Sequence, residues 1–210
     1  MTKHNSQSSQ QWLQEHQTDP YVKQAIKEGY RSRAVYKLAQ IDTRDRLFHS
    51  GMTVIDLGAA PGGWSQWLSQ RFLKRIQIIA LDILPMESIP HVTFIQGDFH
   101  EQATLDTLLL TLEQNKVDMI LSDMAPNSSG IKTVDQARSM LLAELARDLA
   151  LTLLTPKGNF LVKVFQGEGF DDYLRSLRQH FKQVLIRKPD ASRARSREIY
   201  LLAKQLKINY

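Results

Sequence analysis

Two kinds of hydrophobic pattern alternate along the chain from residue 51 onward. Short runs rich in β-branched residues predict strands, and longer runs with apolar residues three or four positions apart predict helices. The predicted strands cover residues 53–57, 76–83, 92–96, 117–122, 159–165, 183–187 and 198–203. The predicted helices cover residues 21–28, 34–42, 63–72, 101–114 and 134–154.

This order of elements predicts an α/β fold around one sheet. Strands that alternate with crossover helices form a mostly parallel sheet with helices on both faces. The last two strands are joined by residues 188–197, which show no helical pattern, so we expect them to form an antiparallel pair at one edge. We therefore predict a seven-stranded, Rossmann-like sheet in a single domain over residues 1–210, with residues 1–50 as a basic, helical N-terminal extension.

Composition narrows the class of protein. The 210 residues, 42% hydrophobic and 23% charged, suit one globular domain. The longest apolar run has five residues, whereas a membrane span needs about 18, and no apolar export segment opens the chain. We expect a soluble, cytoplasmic protein without an obligate protein partner. Because the chain has no cysteine and no histidine cluster, we expect neither disulfides nor a metal.

The positive charge is concentrated at the two ends of the chain. The net charge of +5 divides into +3 over residues 1–50, −4 over residues 51–169 and +6 over residues 170–210. The densest stretch, residues 186–197, carries five cations and one acid. Clustered cations suit a polyanion such as RNA, because each neutralised phosphate releases counterions. The alternative is a solvated basic face.

A glycine-rich turn follows the first predicted strand and leads into a helix. It reads DLGAAPGGW over residues 56–64. Glycines at such a turn allow positive φ angles and let the backbone approach a ligand at the carboxyl end of the sheet. The spacing differs from the Gly-x-Gly-x-x-Gly of dinucleotide sites, and Pro61 has no amide to donate to a pyrophosphate. The turn therefore predicts a ligand other than a dinucleotide.

Aspartates stand at or near the ends of the first three predicted strands. Asp82 could accept hydrogen bonds from both hydroxyls of a ribose, and Asp98 one from the exocyclic amine of adenine. Asp56 could attract an ammonium group. Each of them alone is more often a helix cap or a loop residue. Together they describe a pocket for S-adenosylmethionine, rather than for NAD or ATP.

A lysine interrupts the fifth predicted strand, FLVKVF. Buried parallel strands are nearly all apolar, so Lys163 needs a partner unless its ammonium reaches solvent at the strand end. Asp123 follows the preceding strand, which is a neighbour of the fifth in a doubly wound sheet. We expect this amine and this carboxylate to face one crevice beside the cofactor pocket.

These residues resemble the FtsJ-like ribosomal RNA large-subunit methyltransferases, which methylate a ribose 2′-hydroxyl. The resemblance runs from about Trp12 to Ala203. It is carried by WLQEHQTDPYVKQAIKEGYRSRAVYKL, VIDLGAAPGGWSQ, LSDMAPN, FLVKVFQGEGFD and RKPDASRARSREIY. It implies the fold of S-adenosylmethionine-dependent methyltransferases and 2′-O-methylation of a uridine in 23S ribosomal RNA, on the large ribosomal subunit or a late precursor.

The resemblance also implies a set of site residues. The implied catalytic residues are Lys37, Asp123, Lys163 and Glu198. The implied cofactor contacts are Gly62, Trp64, Asp82, Asp98 and Asp123, to which the glycine turn adds Asp56, Gly58 and Gly63. The predicted RNA contacts flank Lys37 and Glu198 in sequence and are Arg31, Arg33, Arg193, Arg195 and Arg197.

Lys163 would act on the acceptor hydroxyl in one of two ways. As a neutral amine it would accept the proton, and as an ammonium it would orient the hydroxyl and stabilise the developing alkoxide. Other functions fit parts of the pattern: 2′-O-methylation of another structured RNA such as tRNA, methylation of a nucleobase nitrogen, a protein or a small molecule, a non-catalytic RNA-binding assembly factor, or a nucleotide-dependent oxidoreductase. The complete catalytic set opposes the assembly factor, and the glycine spacing opposes the oxidoreductase.

Overall fold

A seven-stranded sheet forms the centre of the protein, for which a computed structural model describes residues 18–113 and 116–207. Its strands are β1 (Thr53–Leu57), β2 (Gln77–Asp82), β3 (Val92–Gln96), β4 (Val117–Ser122), β5 (Leu154–Phe165), β6 (Phe181–Arg187) and β7 (Glu198–Leu206). The α-helices are α1 (Pro20–Glu28), α2 (Ala34–Asp45), α3 (Gly63–Phe72), α4 (Gln102–Leu112), α5 (Lys132–Leu153) and α6 (Phe170–His180). A short 3-10 helix, Leu73–Arg75, follows α3. No helix in the described ranges has the length and apolarity to cross a membrane.

The strand order is β3-β2-β1-β4-β5-β7-β6. The first five strands are parallel, and β7 runs antiparallel to both β5 and β6. The predicted fold class, a mostly parallel sheet with an antiparallel edge pair, is confirmed. The direction of winding reverses between β1 and β4, and ligands bind at the carboxyl ends of the strands beside such a reversal.

Two apolar layers cover the two faces of the sheet. Neighbouring residues in a strand point to opposite faces, so Val54 packs in one layer and Ile55 in the other. Helices α4, α5 and α6 cover the Ile55 face, and α2 and α3 cover the Val54 face. Val35, Leu38 and Ile41 of α2 are buried in the second layer. Residues 34–45 of the predicted N-terminal extension therefore pack on the sheet, while residues 1–17 lie outside the described residues.

Local sequence fixes both ends of α1, the helix that precedes α2. Asp19 caps the helix by accepting a hydrogen bond from the Tyr21 amide (2.9 Å), and Pro20 supplies the first helical residue. Gly29 ends the helix with a φ of +74°, and its amide donates to the carbonyls of Ala25 and Ile26. The chain then turns directly into the segment that carries Arg31, Arg33 and Lys37.

Within the described residues, the sequence analysis did not predict the α-helix α6 or the short 3-10 helix. Phe170, Tyr173, Leu174 and Leu177 line the buried side of α6, at the spacing of one helical face. The sequence analysis predicts no element over residues 170–180. Strand β5 also begins five residues before its predicted start, because Pro156 and Gly158 lie inside it rather than in a loop. The pairing of β4 with β5 shifts register around these residues.

Replacing Leu38 with alanine tests whether α2 belongs to the folded core. Leu38 is fully buried, so Leu38→Ala should lower the free energy of unfolding by about 2–5 kcal/mol in urea denaturation. The matched control is Leu110→Ala on α4, where the leucine is 78% exposed and the change should stay within about 0.5 kcal/mol. Equal effects of the two substitutions would mean that α2 contributes little to the stability of the fold.

Candidate active site

The glycine turn after β1 lies against the end of β2. Gly58 donates its amide to the carbonyl of Leu81 (2.9 Å) and has a φ of +71°. A Cβ atom at this position would overlap the side chain of Met124, so the turn requires glycine here. Gly62, with a φ of +106°, begins α3. The backbone of the turn is therefore fixed at the carboxyl edge of the sheet.

Asp82 joins the glycine turn to the loop that follows β2. Its two carboxylate oxygens accept hydrogen bonds from the amides of Ala60 and Leu84, each at 2.8 Å. A carboxylate oxygen has two lone pairs, so both oxygens can still accept from ribose hydroxyls. Next to it, Ile83 and Leu84 are 63% and 58% exposed. They offer an apolar surface for a flat purine, which suits the adenosine part of S-adenosylmethionine.

Sequence reasoning did not single out Ile83 or Leu84. The usable signal was two large apolar residues directly after the carboxylate that ends a buried strand. Asp98, after β3, has a side chain 45% exposed and accepts a hydrogen bond from the His100 amide (3.0 Å). That bond is the largest influence on the pKa of Asp98, which is lowered. Asp98 is therefore an ionised acceptor on the same edge of the sheet.

Asp56 and Trp64 are buried behind the glycine turn. Asp56 accepts a hydrogen bond from the Ser65 hydroxyl (2.7 Å), and burial raises its pKa to about 7 against the lowering effect of that bond. The Trp64 indole donates to the carbonyl of Ala34 (2.7 Å) and packs beside the Tyr200 ring at 5.9 Å. Both side chains hold α3 in place, and Trp64 connects it to α2.

Five side chains meet beside this turn. Lys163, only 8% exposed, lies 3.0 Å from the carboxylate of Asp123 and donates to its carbonyl at 2.5 Å. The Tyr200 hydroxyl donates to the same carboxylate oxygen at 2.7 Å. The Lys37 ammonium lies 2.6 Å from Glu198 and 5.7 Å from the centre of the Tyr200 ring. The structure thus brings the four predicted catalytic residues into one cluster, around a tyrosine.

The cluster shifts the pKa values of Asp123 and Tyr200 in opposite directions. Burial is the strongest influence on Asp123 and would raise its pKa, but Lys163, Lys37 and the hydrogen bond from Tyr200 together outweigh it, so the pKa is lowered. Asp123 is therefore ionised at neutral pH. Burial, and then the negative charges of Asp123 and Glu198, raise the pKa of Tyr200 well above its ordinary value. Tyr200 keeps its proton and acts as a donor, not as a base.

Tyr200 is the main residue of this cluster that sequence reasoning missed. It lies two positions after Glu198 and therefore on the same face of β7. The register pairs it with Lys163 on β5. Ser192, also not predicted, donates to the Glu198 carboxylate at 2.8 Å. The signal for Tyr200 was its spacing from Glu198, but a tyrosine in an apolar strand is more often a packing residue.

The predicted RNA-binding arginines lie in two segments that contact each other. Arg33 pairs with Asp19 and donates to the carbonyl of Ala191. Arg193 lies 3.9 Å from the same Asp19. Arg195 and Arg197 are exposed. The N-terminal segment and the basic residues 188–197 therefore form one continuous border beside Lys37 and Glu198.

Arg31 has a different environment from the other four arginines. Its guanidinium donates to the carbonyl of Pro61 in the glycine turn and to the carbonyls of Glu87 and Ser88 in the loop after β2. Among residues 18–113 and 116–207, no group of three or more histidine, aspartate or glutamate side chains could hold a metal ion.

The fold and the pocket define a methyltransferase that depends on S-adenosylmethionine. A family model described as FtsJ-like methyltransferase matches residues 30–206. The chain therefore belongs to the FtsJ-like methyltransferase family, as the sequence analysis predicted.

Individual relatives agree with this assignment. The chain is 56% identical over 201 residues to the ribosomal RNA large subunit methyltransferase E of Chromohalobacter salexigens, covering 96% of each chain. A crystal structure assigned as a ribosomal RNA methyltransferase of Plasmodium falciparum superposes with a TM-score of 0.78 at 30% identity, over 86% of this chain and 100% of that one. A structure from Streptococcus mutans, assigned as a methyltransferase and in complex with SAH, shares the fold, with a TM-score of 0.53 at 14% identity, over 81% of this chain and 97% of that one.

The hydrogen bond from Tyr200 to Asp123 can be tested by Tyr200→Phe. The substitution leaves a buried carboxylate without one of its donors, so the free energy of unfolding should fall by about 1–3 kcal/mol in urea denaturation. Tyr36→Phe is the matched control, because it removes an exposed hydrogen bond to Glu28 and should change stability by less than about 0.5 kcal/mol. If both variants were equally stable, the bond to Asp123 would not organise the cluster.

Proposed function

We propose that this protein transfers the methyl group of S-adenosylmethionine to the 2′-hydroxyl of a uridine ribose in 23S ribosomal RNA. The observation that carries the proposal is the buried amine of Lys163, held on Asp123 next to the glycine turn. We further propose that it works in the cytoplasm as a single domain, with the large ribosomal subunit or a late precursor as substrate. The relative named as a ribosomal RNA large-subunit methyltransferase supports this choice.

The residues present fit the methyl donor. We propose that the following residues hold it: Asp56, Gly58, Gly62, Gly63, Trp64, Asp82, Asp98 and Asp123. Asp82 and Asp98 supply acceptors for the nucleoside, and the glycines let the backbone approach closely. Asp56 and Trp64 contribute indirectly, because their hydrogen bonds hold α3 in place. When bound, the donor supplies a methyl group on a cationic sulfonium.

The acceptor hydroxyl is a weak acid that must be oriented and must lose its proton as the new bond forms. An ammonium has three N–H donors, and Lys163 directs donors at the carboxylate and the carbonyl of Asp123. The remaining donor can hold the ribose oxygen and stabilise the negative charge that develops on it. Because Asp123 is ionised, the pair is electrically balanced with Lys163 as an ammonium. In this proposal, the proton then leaves to solvent.

Lys37 and Glu198 form the second pair of the cluster. Glu198 is held by Lys37 (2.6 Å) and by the Ser192 hydroxyl (2.8 Å). We propose that this pair fixes the position of the ribose relative to Lys163. Positioning of this kind accounts for much of the rate of an in-line transfer.

The basic border supplies the contacts to RNA. Arg193, Arg195 and Arg197 lie in the segment between β6 and β7 that ends at Glu198. Phosphate contacts there would bring one ribose to the mouth of the crevice, while the shape of the folded RNA selects the nucleotide. Arg33 supports this segment through the carbonyl of Ala191.

Lys163→Ala tests the proposed chemistry. Methyl transfer to large subunits should fall by at least about 100-fold, because the group that holds the acceptor oxygen is gone. The dissociation constant for S-adenosylmethionine, measured by isothermal titration, should change by less than about threefold. Lys157→Ala is the matched control, because Lys157 is an exposed lysine at the opposite end of β5. Turnover retained by Lys163→Ala would remove Lys163 from the mechanism.

The substrate is tested by mapping 2′-O-methyl groups on ribosomal RNA from cells with and without the gene. Loss of one uridine modification in 23S ribosomal RNA is the expected result. Purified protein should then methylate large subunits lacking that modification. Methylation of tRNA instead, or no missing modification at all, would contradict the proposed substrate.

Substitution of the basic border tests the RNA contact. The double variant Arg193→Ala, Arg195→Ala should bind large-subunit RNA more weakly, and the slope of log affinity against log salt should become shallower by about one for each phosphate that the variant no longer neutralises. Arg175→Ala with Arg178→Ala removes the same charge from exposed positions on α6 and serves as the control. Thermal melting checks that the double variant stays folded, since Arg193 also lies near Asp19. An unchanged salt slope would show that these two arginines are solvated surface residues that do not contact RNA.

A further inference from the structure

The guanidinium of Arg31 connects two loops that form the candidate cofactor pocket. One nitrogen, Nη1, donates to the carbonyls of Pro61 (3.2 Å) and Glu87 (2.7 Å), and Nη2 donates to the carbonyl of Ser88 (2.9 Å). Pro61 belongs to the glycine turn after β1, and residues 87 and 88 belong to the loop after β2. One side chain therefore bridges the two loops.

Asp82 makes a second connection between the same two loops. Its carboxylate accepts from Ala60 of the glycine turn and from Leu84 of the second loop. The spacing between the loops is thus fixed at two points, by an anion that accepts from amides and by a cation that donates to carbonyls. The apolar surface that we assign to the nucleoside, Ile83 and Leu84, belongs to the second of these two loops.

The position of Arg31 is itself well determined. Its amide donates to the Gln66 side chain (2.9 Å), and Gln66 donates in turn to the carbonyl of Gly29 (2.9 Å). The Arg31 side chain is only 21% exposed. It also packs on Gly62, where an added Cβ would come within 3.2 Å of Nη1. Its bonds to the three carbonyls use three of the five N–H donors of the guanidinium and direct them at the two loops.

We propose that Arg31 is a positioning residue for S-adenosylmethionine rather than a contact for RNA. It keeps the glycine turn and the loop over residues 83–91 at the separation that the cofactor requires. The inference rests on the proposed placement of the cofactor between these loops. It does not depend on which RNA is methylated.

The geometry requires arginine at this position. A guanidinium is planar and carries its donors in a fixed fork, so it reaches three carbonyls on two segments at once. A lysine carries its charge on a single nitrogen at the end of a flexible side chain. It could donate to a carbonyl of one loop, but it could not hold both loops at a fixed separation. Lysine would preserve the charge, however, and therefore most of any attraction to phosphate. The two proposed roles thus respond differently to Arg31→Lys.

The experiment measures cofactor and RNA binding separately on Arg31→Ala and Arg31→Lys. Both variants should raise the dissociation constant and the KM for S-adenosylmethionine by about tenfold or more, since they remove charge-assisted hydrogen bonds between the loops. At saturating cofactor, kcat should stay within about threefold of the unmodified protein. RNA affinity and its salt slope should not change. Arg178→Ala, an exposed arginine in the last turn of α6, should alter none of these quantities.

Two further variants complete the design. Arg195→Ala should weaken RNA binding and leave the KM for S-adenosylmethionine unchanged, the reverse of Arg31→Ala. Gln66→Ala removes the bonds that fix the Arg31 backbone and should raise the same KM by a smaller factor. If Arg31→Ala does not fold, the KM of Gln66→Ala for S-adenosylmethionine tests the proposal instead.

The proposal fails if Arg31→Ala binds S-adenosylmethionine normally, or if its main defect is weaker RNA binding with a salt slope shallower by about one. It also fails if Arg31→Lys restores full cofactor affinity. Because cofactor affinity is measured without any RNA, the cofactor-binding outcomes are independent of whether a uridine in 23S ribosomal RNA is the substrate.

Discussion

The amine of Lys163 can be buried only because an ionised carboxylate and its donors are buried with it. Removing two charges from water costs several kcal/mol for each ion, and mutual attraction offsets this only when the remaining lone pairs and protons are also satisfied. Here Asp123 accepts from both Lys163 and Tyr200, and Lys163 also donates to the Asp123 carbonyl. The second pair, Lys37 with Glu198, lies against the ring of the same tyrosine. The cluster is therefore a network rather than two separate ion pairs.

Four elements that are distant in sequence assemble this network. Asp123 follows β4, and Lys163 lies on the parallel neighbour β5. Strand β7 enters antiparallel on the other side of β5, and its register sets Tyr200 beside Lys163 and Glu198 beside Phe165. Lys37 comes from α2, whose apolar face is fixed in the core. Since each element is held by apolar packing, the charged groups meet in a preformed arrangement.

The sequence alone was enough to predict the parts of the site that follow from general rules of the fold. Lys163 and Asp123 were predicted as neighbours because consecutive strands in a doubly wound sheet are adjacent there, and a lysine in an apolar strand is conspicuous. Tyr200 was not predicted, because its hydroxyl matters only through the register of β5 with β7, which no local pattern fixes. Helix α6 was not predicted, although four apolar residues at helical spacing, Phe170, Tyr173, Leu174 and Leu177, are present in the sequence. The catalytic and binding roles of the predicted site residues stay predictions.

Arg31 shows most clearly why charge alone does not assign a role. In sequence, it is one of five arginines that flank Lys37 and Glu198, and all five were predicted as contacts for RNA. Its actual partners, the carbonyls of Pro61, Glu87 and Ser88, come together only in the folded chain. Arg31 and Lys37 are six residues apart on one segment, so the cofactor loops and the acceptor side of the crevice are attached to the same piece of backbone. A shift of this segment would move the cofactor pocket and the Lys37–Glu198 pair together, which favours transfer geometry that is set by the scaffold rather than by the substrates.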